Sequence, residues 1–312
     1  MKILVCDPMP EDFKKILEDK GYEVCYLFKQ SSSTLKEVIS EYDAVVVRSS
    51  TKITSDIIEA GSKLKVIARA GAGLDNIDVE AANKKGIRVI NVPEAVANAV
   101  AELTLGLILS LLRSLPNAVE SLRMARWEKH TFIGRELAGM TVGVVGMGNI
   151  GSLVAKKLLA LGANVITYRR NKLLLESDSA KIGARSAKSL EELLKVSEIV
   201  TLHVPYTKET HHLLNSKNIT LMQKGSYLVN TSRAWVVEGK ALIKALSDGT
   251  FEGVAIDVHY NEPPQEDWEW QLIRHPKVIA TPHIGAQTWE ARTRTSILLA
   301  EKLAYELQKA KS

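Results

Sequence analysis

Cys6 and Cys25 are the only cysteines among the 312 residues of this chain. Two are too few for a disulfide framework, and they offer no metal-ligand spacing. Both lie in apolar, strand-like stretches, so reduced thiols in a cytoplasmic setting are expected. No secretory leader is expected from the first residues: Met1-Lys2-Ile3-Leu4-Val5-Cys6-Asp7 is too short for a signal h-region and reads as a strand. The most apolar run, Val100 to Leu112, contains Glu102 and is too short to span a membrane. There is no repeat and no low-complexity segment, Ser31-Ser32-Ser33 being only a loop. Nor are charges of one sign blocked together. The net charge of +5 and pI near 9.0 come from bases spread among acids, which suits solubility and anionic small molecules rather than nucleic acid. What remains is an ordinary globular composition, 46% hydrophobic and 25% charged, in a chain long enough for two domains.

The stretch Met140 to Arg170, MTVGVVGMGNIGSLVAKKLLALGANVITYRR, organises the sequence. Thr141 to Val145 are mostly β-branched, as a buried strand requires. Gly146-Met147-Gly148-Asn149-Ile150-Gly151 follows. Leu153, Val154, Lys157, Leu158 and Leu161 then fall at helical spacing, Gly162 closes the helix, and Asn164 to Tyr168 form a second strand. Strand, G-x-G-x-x-G, helix and strand within about 30 residues make a dinucleotide-binding fingerprint. Its glycines permit a tight turn, close approach of a pyrophosphate, and tight helix–strand packing, and the helix N-terminus faces the phosphates. The acidic residue expected at the end of the second strand, where it would hold the adenosine ribose, is absent. Tyr168, Arg169 and Arg170 stand there, and no acid follows until Glu176. Arginines suit a 2′-phosphate, hence NADP, by charge-assisted hydrogen bonds. The alternative is a solvated pair of surface charges.

Before this stretch, strands at Ile3–Cys6, Val24–Leu27, Ala44–Val47, Val66–Arg69 and Arg88–Ile90 alternate with helices at Pro10–Lys20, Thr34–Glu41, Thr54–Ala60 and Val79–Lys85. Alternation of this kind predicts an α/β fold with a doubly wound parallel sheet. Asp7-Pro8-Met9-Pro10, not a glycine-rich turn, follows its first strand. A helix over Asn98 to Arg113 is apolar nearly all round, so it is a candidate for a domain junction or dimer interface, or is simply buried internally. After the fingerprint, strands recur at Glu198–Leu202, Ser226–Val229, Gly253–Asp257 and Lys277–Ala280, with helices at Ser189–Lys195, Gly239–Ser247 and Trp289–Lys309. The loops after the later strands hold Asn230-Thr231-Ser232-Arg233, Asp257 to Glu262, and Thr281-Pro282-His283-Ile284-Gly285. Ligands of open parallel sheets bind at such carboxyl ends. Hydride transfer needs a carboxylate anchor and a proton partner. Arg233 can grip a carboxylate with two prongs, His283 titrates near neutrality, and Glu262 would raise its imidazole pKa and fix its tautomer. His130, His211 and His212 read as surface residues, His259 as a spectator and His275 as a loop residue. No metal is expected.

These motifs identify a resemblance, over essentially the full length, to the D-isomer-specific 2-hydroxyacid dehydrogenases. They are VGVVGMGNIG, HVPYTKET (His203 to Thr210), VNTSR (Val229 to Arg233), AIDVHYNEPP (Ala255 to Pro264) and TPHIGA (Thr281 to Ala286). Val47 to Lys52 and Arg69 to Asp78 make it most similar to the short-form D-3-phosphoglycerate dehydrogenases, without an added regulatory domain. The resemblance implies catalytic roles for Arg233, Glu262 and His283. It implies cofactor contacts at Gly146, Gly148, Asn149, Ile150, Gly151, Tyr168, Arg169, Arg170, His203, Val204, Pro205, Thr210, Thr231, Ser232, Asp257 and Gly285, with Asp257 at the nicotinamide amide. It implies substrate contacts at Arg48, Ser49, Lys52, Ala72, Gly73 and Asn76. Ala72-Gly73 would grip the carboxylate, while Arg48, Lys52 and Asn76 would lie near a phosphate. It further implies two doubly wound domains: a flavodoxin-like substrate domain of residues 1–95 plus 288–312, around an inserted Rossmann domain of residues 96–287 through which a homodimer forms. The cofactor is NAD by family default, with NADP suggested by Arg169 and Arg170.

Two departures bear on the substrate. Arg169 replaces the usual Asp, and Ala234-Trp235 follows Arg233 where the family usually has glycine and often a small residue. Ala234 would be strained if its place needs positive φ, and Trp235 either narrows the site or packs on a neighbour. Trp289 is a further bulky residue without an assigned role. The leading expectation is oxidation of D-3-phosphoglycerate to 3-phosphohydroxypyruvate, as in serine biosynthesis. An NADPH-dependent glyoxylate or hydroxypyruvate reductase is the alternative, and a non-catalytic dinucleotide sensor is a third.

Overall fold

A computed structural model of the chain describes residues 1–310, the side chains of residues 172–175 excepted. The chain divides into two compact units, Met1–Ala97 with Ala286–Ser312, and Asn98–Gly285. In the first unit, strands β1 (Lys2–Val5), β2 (Glu23–Tyr26), β3 (Ala44–Val47), β4 (Val66–Arg69) and β5 (Arg88–Asn91) alternate with helices α1 (Glu11–Glu18), α2 (Ser32–Val38), α3 (Ser55–Ala60) and α4 (Val79–Lys84). The sheet is parallel, in the order β2-β1-β3-β4-β5, which is the flavodoxin-like winding. The unit boundary falls within α5 (Pro93–Leu112).

The second unit continues with α6 (Leu115–Arg123), β6 (Thr141–Val145), α7 (Asn149–Ala160), β7 (Asn164–Tyr168), α8 (Lys172–Ile182), β8 (Arg185–Ser186), α9 (Leu190–Val196), β9 (Ile199–Leu202), β10 (Ser226–Asn230), α10 (Gly239–Ser247), β11 (Phe251–Ile256), α11 (Asp267–Ile273) and β12 (Val278–Ala280). Its seven parallel strands run β12-β11-β10-β9-β6-β7-β8. Counted from β6 this is 3-2-1-4-5-6 with one strand added, the Rossmann order, which reverses beside β6. Helix α12 (Trp289–Lys309) returns to the first unit.

Strand alternation explains the cores. On β1, Ile3 and Val5 pack with Phe13 and Leu17 of α1 and Leu303 of α12, while Leu4 faces Leu35, Ile57 and Ile58 on the other side. Each fully buried side chain of this size contributes roughly 1.5–3 kcal/mol. In the second unit, Val142 and Val144 of β6 pack with Ile108 and Leu112 of α5 and with Val154 and Leu158 of α7.

Helix α5 corrects one expectation. It begins at Pro93, not Asn98, because proline suits the first turn of a helix, where no N–H bond is lost. At 20 residues, with mean hydropathy 1.9 over its most apolar window, it is long and apolar enough to cross a membrane. Some 61% of that window is buried inside the structure, so core packing accounts for its composition. Helices α6, α8 and α11 were not anticipated from the sequence.

Candidate active site

Strand β6 delivers the chain to Gly146, whose φ of +98° only glycine adopts readily. Its N–H donates to the Tyr168 carbonyl at 2.7 Å, drawing the turn against the end of β7. A Cβ at Gly146 would strike the His203 carbonyl, and one at Gly151 would strike the Gly146 carbonyl. Gly148 differs: a Cβ there would meet nothing within 4 Å. It precedes α7, and the first helical bond runs from Ser152 N–H to the Gly148 carbonyl. The N–H groups of Asn149, Ile150 and Gly151 are therefore the unsatisfied donors of the first turn, at its positive end. The turn is exposed at Gly148 and Asn149, and that opening at the helix start fits the diphosphate of a dinucleotide.

Around it lie the side chains read as adenosine neighbours. Arg169 Nη1 is 2.6 Å from Asp178 Oδ2 of α8, and Arg170 Nη1 is 3.8 Å from Glu209 Oε2. The acid missing from the end of β7 is thus present in space, nine residues along the chain. Thr210 shapes its own loop, donating to the Pro205 carbonyl at 2.6 Å and accepting from Thr207 N–H at 2.7 Å. His203 bonds Thr201 Oγ1 through Nε2 at 2.9 Å, and its Nδ1 is enclosed without a hydrogen-bond partner among the described residues. Burial pulls its pKa down to about 3, so the imidazole is neutral. Val204 is half-buried and Pro205 exposed.

The remaining candidates of this unit follow the neighbouring strands β10, β11 and β12, at their carboxyl ends. After β10, buried Asn230 ties the turn together. Its Oδ1 accepts from Ser232 N–H and Oγ, and its Nδ2 donates to the Arg233 carbonyl at 2.9 Å. Thr231 shares a 2.9 Å hydroxyl contact with Thr104 of α5. Arg233 is half-buried and donates from Nη1 to the Ser232 carbonyl at 2.7 Å.

After β11, Asp257 is only 1% exposed, and its carboxylate collects the β12 loop. It accepts from Thr281 Oγ1 at 2.6 Å, Ile284 N–H at 2.8 Å and Gly285 N–H at 2.7 Å. The loop so held presents His283, in the left-handed region at φ +52°. His283 Nδ1 is 2.8 Å from both carboxylate oxygens of Glu262. Burial pushes the Glu262 carboxyl up. The hydrogen bond and charge of His283, with the His259 N–H, outweigh that and hold it below the usual carboxylate range. A charged Glu262 accepts a hydrogen bond from Nδ1–H, which leaves Nε2 as the lone-pair nitrogen. His259 itself contacts the Thr281 carbonyl through Nε2 at 2.9 Å.

The residues after Arg233 resolve the two concerns about them. Ala234 opens a short 3-10 helix, Ala234–Val236, and is not among the residues with positive φ, so the feared strain is absent. Trp235 packs on neighbours: its ring stacks over His211 and His212 at 6.1 and 6.2 Å and meets the Tyr260 ring edge-on at 5.2 Å.

In the first unit, buried Asp7 organises the loop after β3, accepting from Arg48 N–H at 2.5 Å and Thr51 Oγ1 at 2.9 Å. Asn76 Nδ2 donates to the carbonyls of Arg48 and Thr51 at 2.8 and 2.6 Å, so this side chain braces the loop. Burial, then the charge of Arg292 in α12, lowers the Arg48 pKa, with Asp7 opposing. Arg292, 244 residues along the chain, is thus a charge that Arg48 feels and that sequence spacing did not reveal. Ser49 is exposed and Lys52 exposed beside it. Asn91 Nδ2 holds the Ala72 carbonyl at 2.6 Å, and among the described residues no backbone or side-chain acceptor takes the N–H groups of Ala72 and Gly73. Asp7 and Asn91 escaped sequence reasoning, and Asn230 was seen only as a member of its loop cluster, because their partners are fixed only by the fold.

Residues 105–285 match the family described as D-isomer specific 2-hydroxyacid dehydrogenase, NAD binding domain. The chain is 43% identical over 303 residues to a D-3-phosphoglycerate dehydrogenase of Methanocaldococcus jannaschii, covering 97% of this chain but 57% of that relative's length. It is 41% identical over 306 residues to a hydroxypyruvate reductase of Thermotoga maritima, covering 98% of each. In structure it is similar to a D-lactate dehydrogenase from Aquifex aeolicus solved with NAD and lactic acid, with a TM-score of 0.88, 30% identity, and coverage of 99% of this chain and 96% of that one.

Proposed function

The chain belongs to the D-isomer-specific 2-hydroxyacid dehydrogenases, and we propose that it oxidises D-3-phosphoglycerate to 3-phosphohydroxypyruvate, the serine-forming direction. The observation that carries this reading is the Glu262–His283 contact at 2.8 Å, on loops following strands of the fingerprint sheet. Bound NAD⁺ would supply the hydride acceptor, held by the turn Gly146 to Gly151, by Tyr168, Arg169 and Arg170, by His203 to Pro205 with Thr210, and by Thr231, Ser232 and the Asp257–Gly285 loop.

The protein residues do the rest. His283 Nε2 takes the proton of the C2 hydroxyl, and Glu262 stabilises the resulting imidazolium. Arg233 grips the substrate carboxylate in a forked hydrogen bond. In the first unit, the N–H groups of Ala72 and Gly73 bind carboxylate, and Arg48, Ser49 and Lys52 bind phosphate, with Asn76 holding their loop. Arg169 and Arg170 make NADP(H) usable beside NAD(H). Cys6 and Cys25 are unpaired thiols, which suits a reducing, cytoplasmic compartment.

A second reading, reduction of hydroxypyruvate or glyoxylate with NADPH, is favoured by the Thermotoga relative, which matches over nearly its whole length. Initial rates decide between the two. D-3-phosphoglycerate with NAD⁺ should turn over faster than glyoxylate or hydroxypyruvate with NADPH. The reverse ranking makes the chain a reductase, and no turnover with any pair favours a dinucleotide sensor.

A homodimer is proposed through the second unit. Leu115, Val119 and Leu122 lie on one face of α6 and are half-exposed, and beyond them Trp127 and Ile133 are 82% and 87% exposed. So many large apolar side chains exposed within residues 115–133 support an interaction surface there. The double variant Leu122→Asp, Trp127→Glu should run as a monomer in light scattering after size exclusion, whereas the parent runs as a dimer. A double variant that stays dimeric puts the interface elsewhere.

A further inference from the structure

Both arginines after β7 already have acidic partners, but the two pairs differ in kind. Arg170 and Glu209 are 3.8 Å apart with side chains 73% and 59% exposed, a contact that solvent screens. Arg169 and Asp178 meet at 2.6 Å with side chains 26% and 30% exposed. The Asp178 side is also fixed in place. Its neighbour Ser179 is buried, and the Ser179 hydroxyl lies 2.7 Å from that of buried Thr167 of β7, which ties this turn of α8 to the sheet. The other Asp178 oxygen lies 3.9 Å from Lys181 Nζ. Arg169 in turn directly follows Tyr168, whose carbonyl takes the Gly146 N–H. The pair therefore sits beside the glycine turn, on the side where β7 ends.

We propose that Asp178 is a cofactor-selectivity residue, one that restrains Arg169 and so weakens this chain's grip on a 2′-phosphate. The inference rests on the reading that Arg169 faces the adenosine ribose. Two effects act in the same direction. The carboxylate occupies part of the guanidinium fork that a phosphate would use. It also leaves a negative charge close to an arriving dianion, which repels it. A cofactor with a free 2′-hydroxyl meets neither obstacle. Asp178 thus does from α8 part of what an acid at the end of β7 would do, discriminating against NADP without being the residue that replaced it. Arg169 keeps the site usable by NADP, and Asp178 keeps it from becoming specific for it.

The test is calorimetric binding of adenosine 2′,5′-bisphosphate and of 5′-AMP to the whole chain, which reads the 2′-phosphate without turnover. Asp178→Asn, which keeps the shape, should raise the preference for the bisphosphate about fivefold over the parent. Asp178→Ser should do the same and guards against a defect peculiar to asparagine. Glu209→Gln, at the screened pair, should change the preference less than twofold. Arg169→Gln should lower it. If both Asp178 variants leave the preference unchanged while Arg169→Gln lowers it, Asp178 does not restrain Arg169 and the inference falls alone. If Arg169→Gln has no effect, Arg169 does not read the 2′-phosphate and both readings fall.

Discussion

Replacing His283 by alanine is expected to lower kcat about a thousandfold, the middle to upper range for a general acid–base group, with the Kd for NAD⁺ changed less than twofold. The split follows from position. His283 is on the β12 loop with its Nδ1 engaged by Glu262, whereas the diphosphate fits the turn from Gly146 to Gly151 on the other side of the sheet centre. The same variant should act on Glu262. Burial is the largest influence on that carboxyl and pushes it up, while His283 is the main influence opposing burial. Without the imidazole, the carboxyl should titrate at higher pH, which carbon NMR of labelled glutamate reads directly. The linkage has a definite sign. A carboxyl held below its unfolded pKa contributes stability above that unfolded value and loses it as pH falls through the folded one. The parent should therefore lose stability on acidification through the carboxylate range, and His283→Ala should lose less there. A His283→Ala protein that retains parental turnover would remove His283 from the chemistry.

Asp257→Ala should cost about 3 kcal/mol and lower the melting temperature by roughly 6–12 °C. The carboxylate is buried, and three donors from the β12 loop converge on it. Truncation leaves all of them short of an acceptor, and the buried Gly285 N–H carries the full desolvation penalty while the part-buried Thr281 and Ile284 donors carry less. Activity should fall as well, because Thr281, Ile284 and Gly285 bracket His283. A melting temperature within 2 °C of the parent would mean that the loop finds other acceptors, and that Asp257 matters through ligand contact instead. Calorimetry and kcat on the same preparation separate the two roles.

The sequence carried the sheet and its fingerprint because their signals are local. β-branched runs, the three glycines and the 3.6-residue period around Val154 and Leu158 each declare themselves within a few residues. Helix α6 was invisible for a physical reason: Leu115, Val119 and Leu122 face outward, so its apolar period does not mark a core. Helix α11 is only seven residues long and mixes Trp268 and Trp270 with acids, too short for a period to emerge. Among the candidate residues, Arg233, Glu262 and His283 were found through motifs. The polar braces Asp7 and Asn91 were not, and Asn230 stood in its motif without a role, since an ordinary Asp or Asn acquires its role only from partners that folding brings in. Asp178 failed to stand out for the same reason. Read along the chain it is one acid in α8, and only the packing of that helix on β7 sets it against Arg169.

The left-handed backbone of His283 has an evolutionary side. An L-residue there costs roughly 1–2 kcal/mol that glycine would not. Selection on folding alone would therefore drive this position toward glycine, and only selection on chemistry keeps an imidazole in place. In a lineage released from the second pressure, this is a codon where drift and stability pull together, so the loss of activity would begin as a gain in robustness.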